Sequence, residues 1–278
     1  MRILVLGGSG SLGSDLKAIL AEKHTVFAPS HADADLLKSD LLRAALDGTR
    51  ADAVVNCAAL ADVDACEREP QKAFDLNADG VRWLAQVCRE RNVLLGQIST
   101  DYVFDGKKDA PYVESDRPRP LQVYGRSKLQ GERNALDVAT KAFVARTSWL
   151  FARRGKNFPN KVLAAGRNGG EIKAVSDWFG SPTSTVDLSR AIRTLLEQQA
   201  TGVFHLVNEG AQSRVEQANE ILGALGTHRA AVQAISSATL LDLPAARPRY
   251  TALASERAAA AGVVMRPRSE AVREFVSQ

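Results

Sequence analysis

The stretch RILVLGGSGSLG, residues 2–13, decides the fold class of this chain. It opens with an apolar run that is typical of a short buried strand. Gly7, Gly10 and Gly13 follow at a GxxGxxG spacing, and DLKAIL (15–20) continues with apolar residues at helical spacing. Glycines between a strand and a helix allow a tight turn and a close approach to a pyrophosphate, to which the helix N-terminus offers free N–H groups. The stretch therefore predicts the phosphate-binding turn of a dinucleotide-binding domain.

Strand and helix patterns alternate along the first half of the chain, which indicates a doubly wound parallel sheet. The segments that we interpret as strands are HTVFAP (24–29), ADAVVNCAAL (51–60), VLLGQI (93–98), KAFVARTSWLF (141–151) and GVFHLVN (202–208), and residues 70–92 have the pattern of a helix. The sequence predicts an α/β fold with an NAD(P)-binding Rossmann domain at 1–150, to which a segment at about 176–208 returns. Residues 151–278 are predicted to form mainly a smaller, discontinuous substrate-binding domain.

The composition argues against several classes of protein. The 278 residues (29.9 kDa) are 45% hydrophobic and 24% charged, as in an ordinary globular protein. No apolar run approaches the roughly 20 residues of a membrane span, and no charged-then-apolar leader is seen, so we expect no membrane partner and a cytoplasmic location. The three cysteines form no CxxC pair and have no histidine at ligand spacing, so we expect no metal site. A net charge of +4 without a long basic run favours an anionic small molecule over a nucleic acid.

Two further segments place polar groups where a ketone-reducing enzyme needs them. STDYVFDG (99–106) begins at the end of a predicted strand, and YGRSK (124–128) can be helical, with Tyr124 and Lys128 one turn apart on one face. A free tyrosine titrates near pH ~10, and a neighbouring ammonium is expected to lower that pKa. Thr100 can donate a hydrogen bond to the carbonyl oxygen that Tyr124 would protonate. Alone, the Tyr–Lys spacing is equally that of a solvated helix face, but with the glycine-rich turn it predicts a catalytic set.

The end of the second strand bears on the choice of cofactor. An NAD-preferring site usually has Asp or Glu there to hold the ribose 2′-hydroxyl, whereas this chain has Ser30 and His31. The missing carboxylate favours NADPH, and NADH stays open because no arginine stands there to attract a 2′-phosphate. By analogy with other such sheets, Asp40 and Leu41 are predicted near the adenine. The predicted cofactor-binding residues are Gly7, Gly10, Ser11, Leu12, Gly13, Ser30, Asp40, Leu41, Ala58, Ala59, Leu60, Ile98, Tyr124 and Lys128.

Motifs between residue 1 and about residue 253 carry a resemblance to a known family. They are GGSGSLG (7–13), VVNCAALADVDACEREP (54–70), LNADG (76–80), STDYVFDG (99–106), YGRSKLQGE (124–132), RTSWLF (146–151), NF (157–158), SDWFGSPT (176–183) and RPRYTAL (247–253). With them the chain resembles the extended short-chain dehydrogenase/reductase family and, within it, the dTDP-4-dehydrorhamnose reductases. STDYVFDG, YGxSKxxGE and RTSW together are highly specific for that group.

The resemblance implies an NAD(P)H-dependent oxidoreductase that reduces the 4-keto group of a nucleoside-diphosphate-linked deoxysugar, as in dTDP-L-rhamnose biosynthesis. It implies Tyr124 as proton donor, Lys128 as its electrostatic partner and as a ligand of the cofactor ribose, and Thr100 as the group that orients the carbonyl. The substrate-binding residues that it implies are Thr100, Asp101 and Trp149 at the sugar, and Asn157 and Arg247 at the diphosphate. We expect a monomer or a homodimer.

Departures from the family pattern leave the sugar and the nucleotide base open. Asp177-Trp178 stands where Asp-Gln is common, Leu60 and Ala61 stand where polar residues are usual, and the tail has no Trp. A Ser/Thr–Tyr–Lys set serves the whole superfamily. A reductase or epimerase for another nucleotide deoxysugar therefore stays open, as does a non-catalytic, nucleotide-binding regulatory subunit. The intact catalytic set argues against the regulatory subunit.

Overall fold

The structure, a computed structural model, describes residues 1–155, 157–226, 229–240 and 242–277. Its strands are β1 (Arg2–Leu6), β2 (Thr25–Phe27), β3 (Ala53–Asn56), β4 (Leu94–Thr100), β5 (Ala142–Thr147), β6 (Leu150–Phe151), β7 (Gly170–Val175), β8 (Phe179–Gly180), β9 (Thr183–Ser184), β10 (Gly202–His205), β11 (Gln212–Ser213) and β12 (Ala230–Ile235). Its α-helices are α1 (Ser11–Ala21), α2 (Ser39–Thr49), α3 (Val63–Arg68), α4 (Pro70–Phe74), α5 (Gly80–Glu90), α6 (Val123–Val138), α7 (Phe158–Asn168), α8 (Thr185–Glu197), α9 (Arg214–Leu225), α10 (Glu256–Ala260) and α11 (Arg268–Ser277).

Within the described residues, six strands form one parallel sheet in the order β2–β1–β3–β4–β5–β10. The chain starts at β1, moves outward to β2, and then crosses to β3 on the other side of β1. The order therefore reverses between β1 and β3, and in such sheets ligands bind outside the carboxyl ends of the strands at this point. The predicted doubly wound parallel sheet is confirmed.

Apolar side chains cover both faces of the sheet, because successive residues of a strand point to opposite sides. Ile3 packs in a core with α1 and α8, whereas Leu4 packs in a second core that includes Leu42 of α2 and Leu84 of α5. Each such buried side chain stabilises the fold by about 1.5–3 kcal/mol. With both faces covered, the carboxyl edge of the sheet is left for polar groups. None of the described helices is long and apolar enough to cross a membrane.

The segment 70–92, predicted as one helix, contains a π-turn at Asp75–Asp79 between α4 and α5. The π-turn presents the buried Asn77, whose Nδ2 donates to the Leu60 carbonyl oxygen (3.0 Å) and to Ser127 Oγ (3.1 Å). Its Oδ1 accepts a hydrogen bond from the Leu60 N–H (2.9 Å). Asn77 therefore ties the chain after β3 to α6, the helix that carries the Tyr–Lys pair.

The chain beyond β5 packs partly on the sheet and partly around a third core. Helix α8 packs on α1, and β10 pairs in parallel with β5. Helices α7, α9 and α11, with the parallel pair β7–β12, surround buried Val162, Ile221 and Phe275. We propose that this third core belongs to the substrate-binding domain; the division at residue 150 stays a prediction.

Candidate active site

Close backbone packing shapes the glycine-rich turn. Gly7 has a φ of +72°, and a Cβ there would lie 2.8 Å from the Ala58 nitrogen. A Cβ at Gly13 would lie 2.2 Å from the Gly7 carbonyl oxygen, so α1 packs on the turn only with glycine at this position. Gly10, the N-cap of α1, has more room, since its Cβ would lie 3.4 Å from the same oxygen. Gly7 and Gly13 are required by the protein itself, whereas Gly10 leaves the first N–H groups of α1 open to an anion.

A groove of about 630 Å³ runs past this turn at the point where the strand order reverses. It brings together predicted residues from the ends of three strands: Gly7 and Gly10 after β1, Ser30 after β2, and Ala58 and Ala59 after β3. Its volume is that of a small-molecule site, about 300–1,000 Å³. The groove therefore fits the adenosine and pyrophosphate part of a dinucleotide.

The structure places Asp40 and Leu41 outside this groove, and their predicted position near the adenine stays a prediction. Helix α2 begins one residue before Asp40, so this carboxylate lies in an exposed first turn, 3.5 Å from Arg43 Nη1. Leu41 lines a separate cavity beside β2. The buried Leu36, which precedes α2, lines the groove instead. Between β2 and the first turn of α2 the sequence contains two Asp-Leu pairs, at 35–36 and 40–41, and only packing shows which one reaches the groove.

Polar groups gather where the groove meets the end of β2. Ser30 Oγ donates a hydrogen bond to Asp33 Oδ2 (2.6 Å), and both His31 and Lys17 line the groove. Lys17 lies in α1, two helical turns beyond the glycine-rich turn, and no motif marks it in the sequence. A cation at this end of the groove suits a ribose 2′-phosphate.

The other predicted cofactor residues lie in different surroundings. Leu12 lines the catalytic cavity described next. Ser11 Oγ donates to the Arg154 carbonyl oxygen (3.2 Å), which brings the loop after β6 against the glycine-rich turn. Leu60 is held by Asn77 and packs in an apolar cluster with Tyr124.

A cavity of about 270 Å³ holds the predicted catalytic residues, and it shares two lining residues after β3 with the groove. Thr100 reaches it from the end of β4, and Tyr124 and Lys128 reach it from the first turns of α6. Lys128 Nζ donates a hydrogen bond to the carbonyl oxygen of Ile98, at 2.6 Å. The strand end and the helix thus bring the three side chains and Ile98 together.

Protonation of the Tyr–Lys pair differs from the prediction. Burial raises the pKa of Tyr124, and its hydrogen bond with Thr100 opposes this shift without reversing it. The expected lowering by Lys128 does not prevail, because Nζ is directed to Ile98 and burial lowers the pKa of Lys128 itself to about 8. The Tyr124 hydroxyl is therefore protonated at neutral pH, which suits a proton donor.

Asp101 joins the catalytic cavity to the C-terminal part of the chain. This buried carboxylate accepts hydrogen bonds from Thr100 Oγ1 (3.1 Å), from Ser148 Oγ (2.9 Å) and from Thr251 Oγ1. Burial raises the pKa of Asp101 to about 6, and the three hydroxyl donors act in the opposite direction. Asp101 therefore holds the Thr100 side chain in place through a hydrogen bond.

A third cavity, also of about 270 Å³, lies beyond Trp149, which lines it and the catalytic cavity alike. Trp149 has a φ of +45°, and a Cβ on Gly180 would lie 2.5 Å from its ring, so the indole packs flat against the backbone. The Arg214 guanidinium lies over the indole, 3.6 Å from the ring centroid. Tyr102, Arg214 and Arg247 line the third cavity. Arg214 is the first residue of α9, and no motif in the sequence marks it as a site residue.

The two residues that the resemblance placed at the diphosphate are engaged with protein groups. Arg247 lines the third cavity but pairs with Asp64, with Nη2 and Oδ2 at 2.9 Å. Burial opposes ionisation of Asp64, but the hydrogen bonds from Arg247 and from the Ala245 N–H, together with the positive charge of Arg247, outweigh it and lower the pKa of Asp64. Asn157 is the N-cap of α7: its Oδ1 accepts from the Asn160 N–H (2.9 Å) and its Nδ2 donates to the Ala152 carbonyl oxygen (3.1 Å). The Asn157 side chain therefore caps the helix, and its role at the diphosphate stays a prediction.

An unpartnered polar atom supports a cofactor at the catalytic cavity. Thr147 Oγ1 is buried in the lining of this cavity and has no hydrogen-bond partner among the described residues. Thr147 pairs in register with Thr100, so its hydroxyl lies at the carboxyl edge of the sheet. Buried hydroxyls are normally paired, and a polar group of a bound cofactor would satisfy this one. The described part of the chain contains no group of three His, Cys, Asp or Glu side chains placed to hold a metal ion.

Comparisons with known proteins agree with this geometry. The model of the RmlD substrate binding domain family matches residues 1–278. The chain is 36% identical over 264 residues to a dTDP-4-keto-6-deoxy-D-glucose reductase of Streptomyces niveus, covering 94% of this chain and 91% of that protein. It is 36% identical over 281 residues to a dTDP-4-dehydrorhamnose reductase of Mycolicibacterium smegmatis, covering 99% and 85%. A solved dTDP-4-dehydrorhamnose reductase of Bacillus anthracis in complex with NADP is similar with a TM-score of 0.94 at 30% identity, over 99% of this chain and 98% of that one.

Proposed function

Because the chain belongs to the RmlD substrate binding domain family, we propose that it reduces the 4-keto group of a nucleoside-diphosphate-linked deoxysugar with NADPH, as a dTDP-4-dehydrorhamnose reductase does. The observation that carries this proposal is the single cavity that holds Thr100, Tyr124 and Lys128 where the cofactor groove ends. A non-catalytic subunit would need no such arrangement. The relatives named above are reductases of dTDP-sugars, which supports dTDP as the nucleotide.

The residues around the groove would hold the cofactor. The glycine-rich turn and the N-terminus of α1 receive the pyrophosphate, and Lys17 lies where a 2′-phosphate would end. Lys128 has three N–H donors and uses one on Ile98, so it can also bind the cofactor ribose. The unpartnered Thr147 hydroxyl would bind a polar group of the cofactor inside the catalytic cavity.

The catalytic residues divide the reduction into proton donation and positioning. Bound NADPH would supply a hydride for the carbonyl carbon. Tyr124 would donate its hydroxyl proton to the carbonyl oxygen, so that the ketone becomes a secondary alcohol and the phenolate then regains a proton from solvent. Because burial keeps Tyr124 protonated, it needs no prior proton transfer. Thr100 Oγ1 accepts from the Tyr102 N–H (3.2 Å) and donates its one hydroxyl hydrogen to Asp101 (3.1 Å). To orient the carbonyl oxygen, Thr100 would turn this hydrogen from Asp101 to the substrate.

We propose the nucleotide sugar as the partner of this protein. We expect the protein to work in the cytoplasm, as a monomer or a homodimer. A panel of dTDP- and UDP-linked 4-keto-6-deoxysugars, offered with NADPH and with NADH, tests the proposal. We expect dTDP-4-dehydrorhamnose to consume NADPH at least as fast as NADH and to give one product stereoisomer. If no member of the panel oxidises either cofactor, the proposal is wrong; reduction of another sugar alone would select the reductase alternative.

A further inference from the structure

The cavity beyond Trp149 contains a cation, Arg214, that forms no ion pair with any carboxylate of the described residues. Arg214 is the first residue of α9, and its position is fixed by the capping box that Ser213 and Glu216 form at the start of this helix. Its guanidinium lies 3.6 Å from the Trp149 ring centroid and 5.2 Å from that of Phe158. The two aromatic rings hold the flat face of the guanidinium, so its edge carries the N–H donors.

Other buried or partly buried arginines of the described chain pair with acids. Arg146 pairs with Glu132 (2.7 Å), and Arg247 pairs with Asp64 (2.9 Å). No carboxylate of the described residues lies within 4 Å of the Arg214 guanidinium, whose hydrogen bond goes to the neutral Gln217 Oε1 (2.7 Å). Burial lowers the pKa of Arg214 to about 10, so the group still carries its charge at neutral pH. A guanidinium has five N–H donors, and most of these are left for a ligand.

The cavity around Arg214 is suited to an anion. Lys173 and Arg247 also line it, and none of its lining residues among the described positions is Asp or Glu. With a volume of about 270 Å³ it is smaller than a whole nucleotide-sugar site requires, and the catalytic cavity has the same volume. Because Trp149 lines both, a substrate whose sugar occupies the catalytic cavity would extend past the indole to Arg214.

We infer that Arg214 is the residue that binds the diphosphate of the nucleotide sugar, held for this purpose against Trp149. The inference rests on the proposed function and adds a residue to that site. Arg247, which the motif resemblance favoured, has one guanidinium nitrogen on Asp64 and another on the Ala245 carbonyl oxygen (2.7 Å). Its main part is therefore to hold the wall of the cavity, with a smaller direct share in binding the phosphates.

The test measures binding of dTDP and of thymidine to the full-length protein by calorimetry, together with KM and kcat for a reduced nucleotide sugar. The variants are Arg214→Gln, which removes the charge, and Arg214→Lys, which keeps the charge but loses the planar stack on Trp149. Arg82→Gln, at an exposed arginine of α5, is the control for loss of one positive charge. Charge-assisted hydrogen bonds to phosphate are strong, so we expect Arg214→Gln to weaken dTDP binding at least about ten-fold.

The same variant should raise KM by a similar factor while kcat falls much less, because the diphosphate is remote from the reacting carbon. Arg214→Lys should recover part of the dTDP affinity, and thymidine affinity should be nearly unchanged in both. Unchanged dTDP affinity in Arg214→Gln, or an equal loss for thymidine, would overturn the inference; the second result would place the base in this cavity. These outcomes leave wild-type turnover intact, whereas failure of the proposed function would appear as a wild-type protein without ketosugar reduction.

Discussion

The proton donor is the part of the mechanism most open to a direct test, with Tyr124→Phe. The change removes one oxygen and keeps the ring, which lies edge-on to Tyr102 with centroids 6.0 Å apart and packs in the apolar cluster with Leu60. The Tyr124 hydroxyl interacts with Thr100. Little packing is lost, so the variant should fold with nearly the wild-type melting temperature. What it loses is the group that protonates the carbonyl oxygen as the hydride arrives.

The expected cost follows from that role. Positioned general acids contribute about 10²- to 10⁴-fold, which corresponds to about 2.7–5.4 kcal/mol of activation free energy. Thr100 remains and can turn its hydroxyl hydrogen from Asp101 to the oxygen, so we expect the variant to keep some turnover and to fall at the lower end of this range. KM for the nucleotide sugar should change little, since the lost interaction forms mainly in the transition state.

The assay is steady-state turnover of the best ketosugar with saturating NADPH, with thermal unfolding as the check on the fold. Tyr112→Phe is the matched control, because Tyr112 is buried and bonds Asp105 through its hydroxyl (2.9 Å), away from the cavity. We expect that control to lose some stability and little turnover. A Tyr124→Phe enzyme with turnover within about three-fold of wild type would refute the assignment of the proton donor.

Three further predictions concern the cofactor and pH. Ser30→Asp should lower the preference for NADPH over NADH roughly ten-fold, because a carboxylate holds a 2′-hydroxyl and repels a 2′-phosphate. Competitive titration of the two reduced cofactors measures this preference. A wild-type protein that strongly prefers NADH would contradict the reasoning. The kcat/KM for NADPH should fall as the pH rises through about 8, where the free protein's Lys128 loses its proton, and Lys128→Arg should lack this limb. For Asp101, burial raises the folded-state pKa from 3.8 to about 6, so its contribution to stability is full below about pH 4 and lost as the pH rises through 6. Between pH 4 and 7 this loss is on the order of 2–3 kcal/mol in the free energy of unfolding, and Asp101→Asn should not show it. If the free energies of unfolding of the variant and of the wild type change in parallel with pH, the assignment to Asp101 is wrong.

Local sequence patterns were enough to predict the central fold and the catalytic set. The strand–turn–helix at residues 2–20 and the alternating strands and helices after it are recognised from the spacing of apolar residues, which repeats every 2.0 residues in a strand and every 3.6 in a helix. This spacing can be read from neighbouring residues alone. Tyr124 and Lys128 face the same way because they are one helical turn apart, and Thr100 ends a strand whose register with β5 places it at the carboxyl edge. Parallel strands bring their carboxyl ends to one edge, which places Thr100 there, whereas the position of Tyr124 and Lys128 beside it depends on how α6 packs.

Contacts between distant segments were decided by tertiary packing. The choice of Leu36 over Leu41 at the groove depends on where α2 begins, and the role of Asn157 depends on the helix that it caps. Arg247 and Asp64 are separated by 183 positions, and no motif links Arg214 to Trp149. Such contacts are set by how α9 and the last loops pack over the edge of the sheet, which no periodicity within one segment encodes. The sequence by itself therefore indicated the class of reaction, through the resemblance that its motifs carry, whereas only the packing of the C-terminal part decided which partly buried arginine of the described chain has no carboxylate partner.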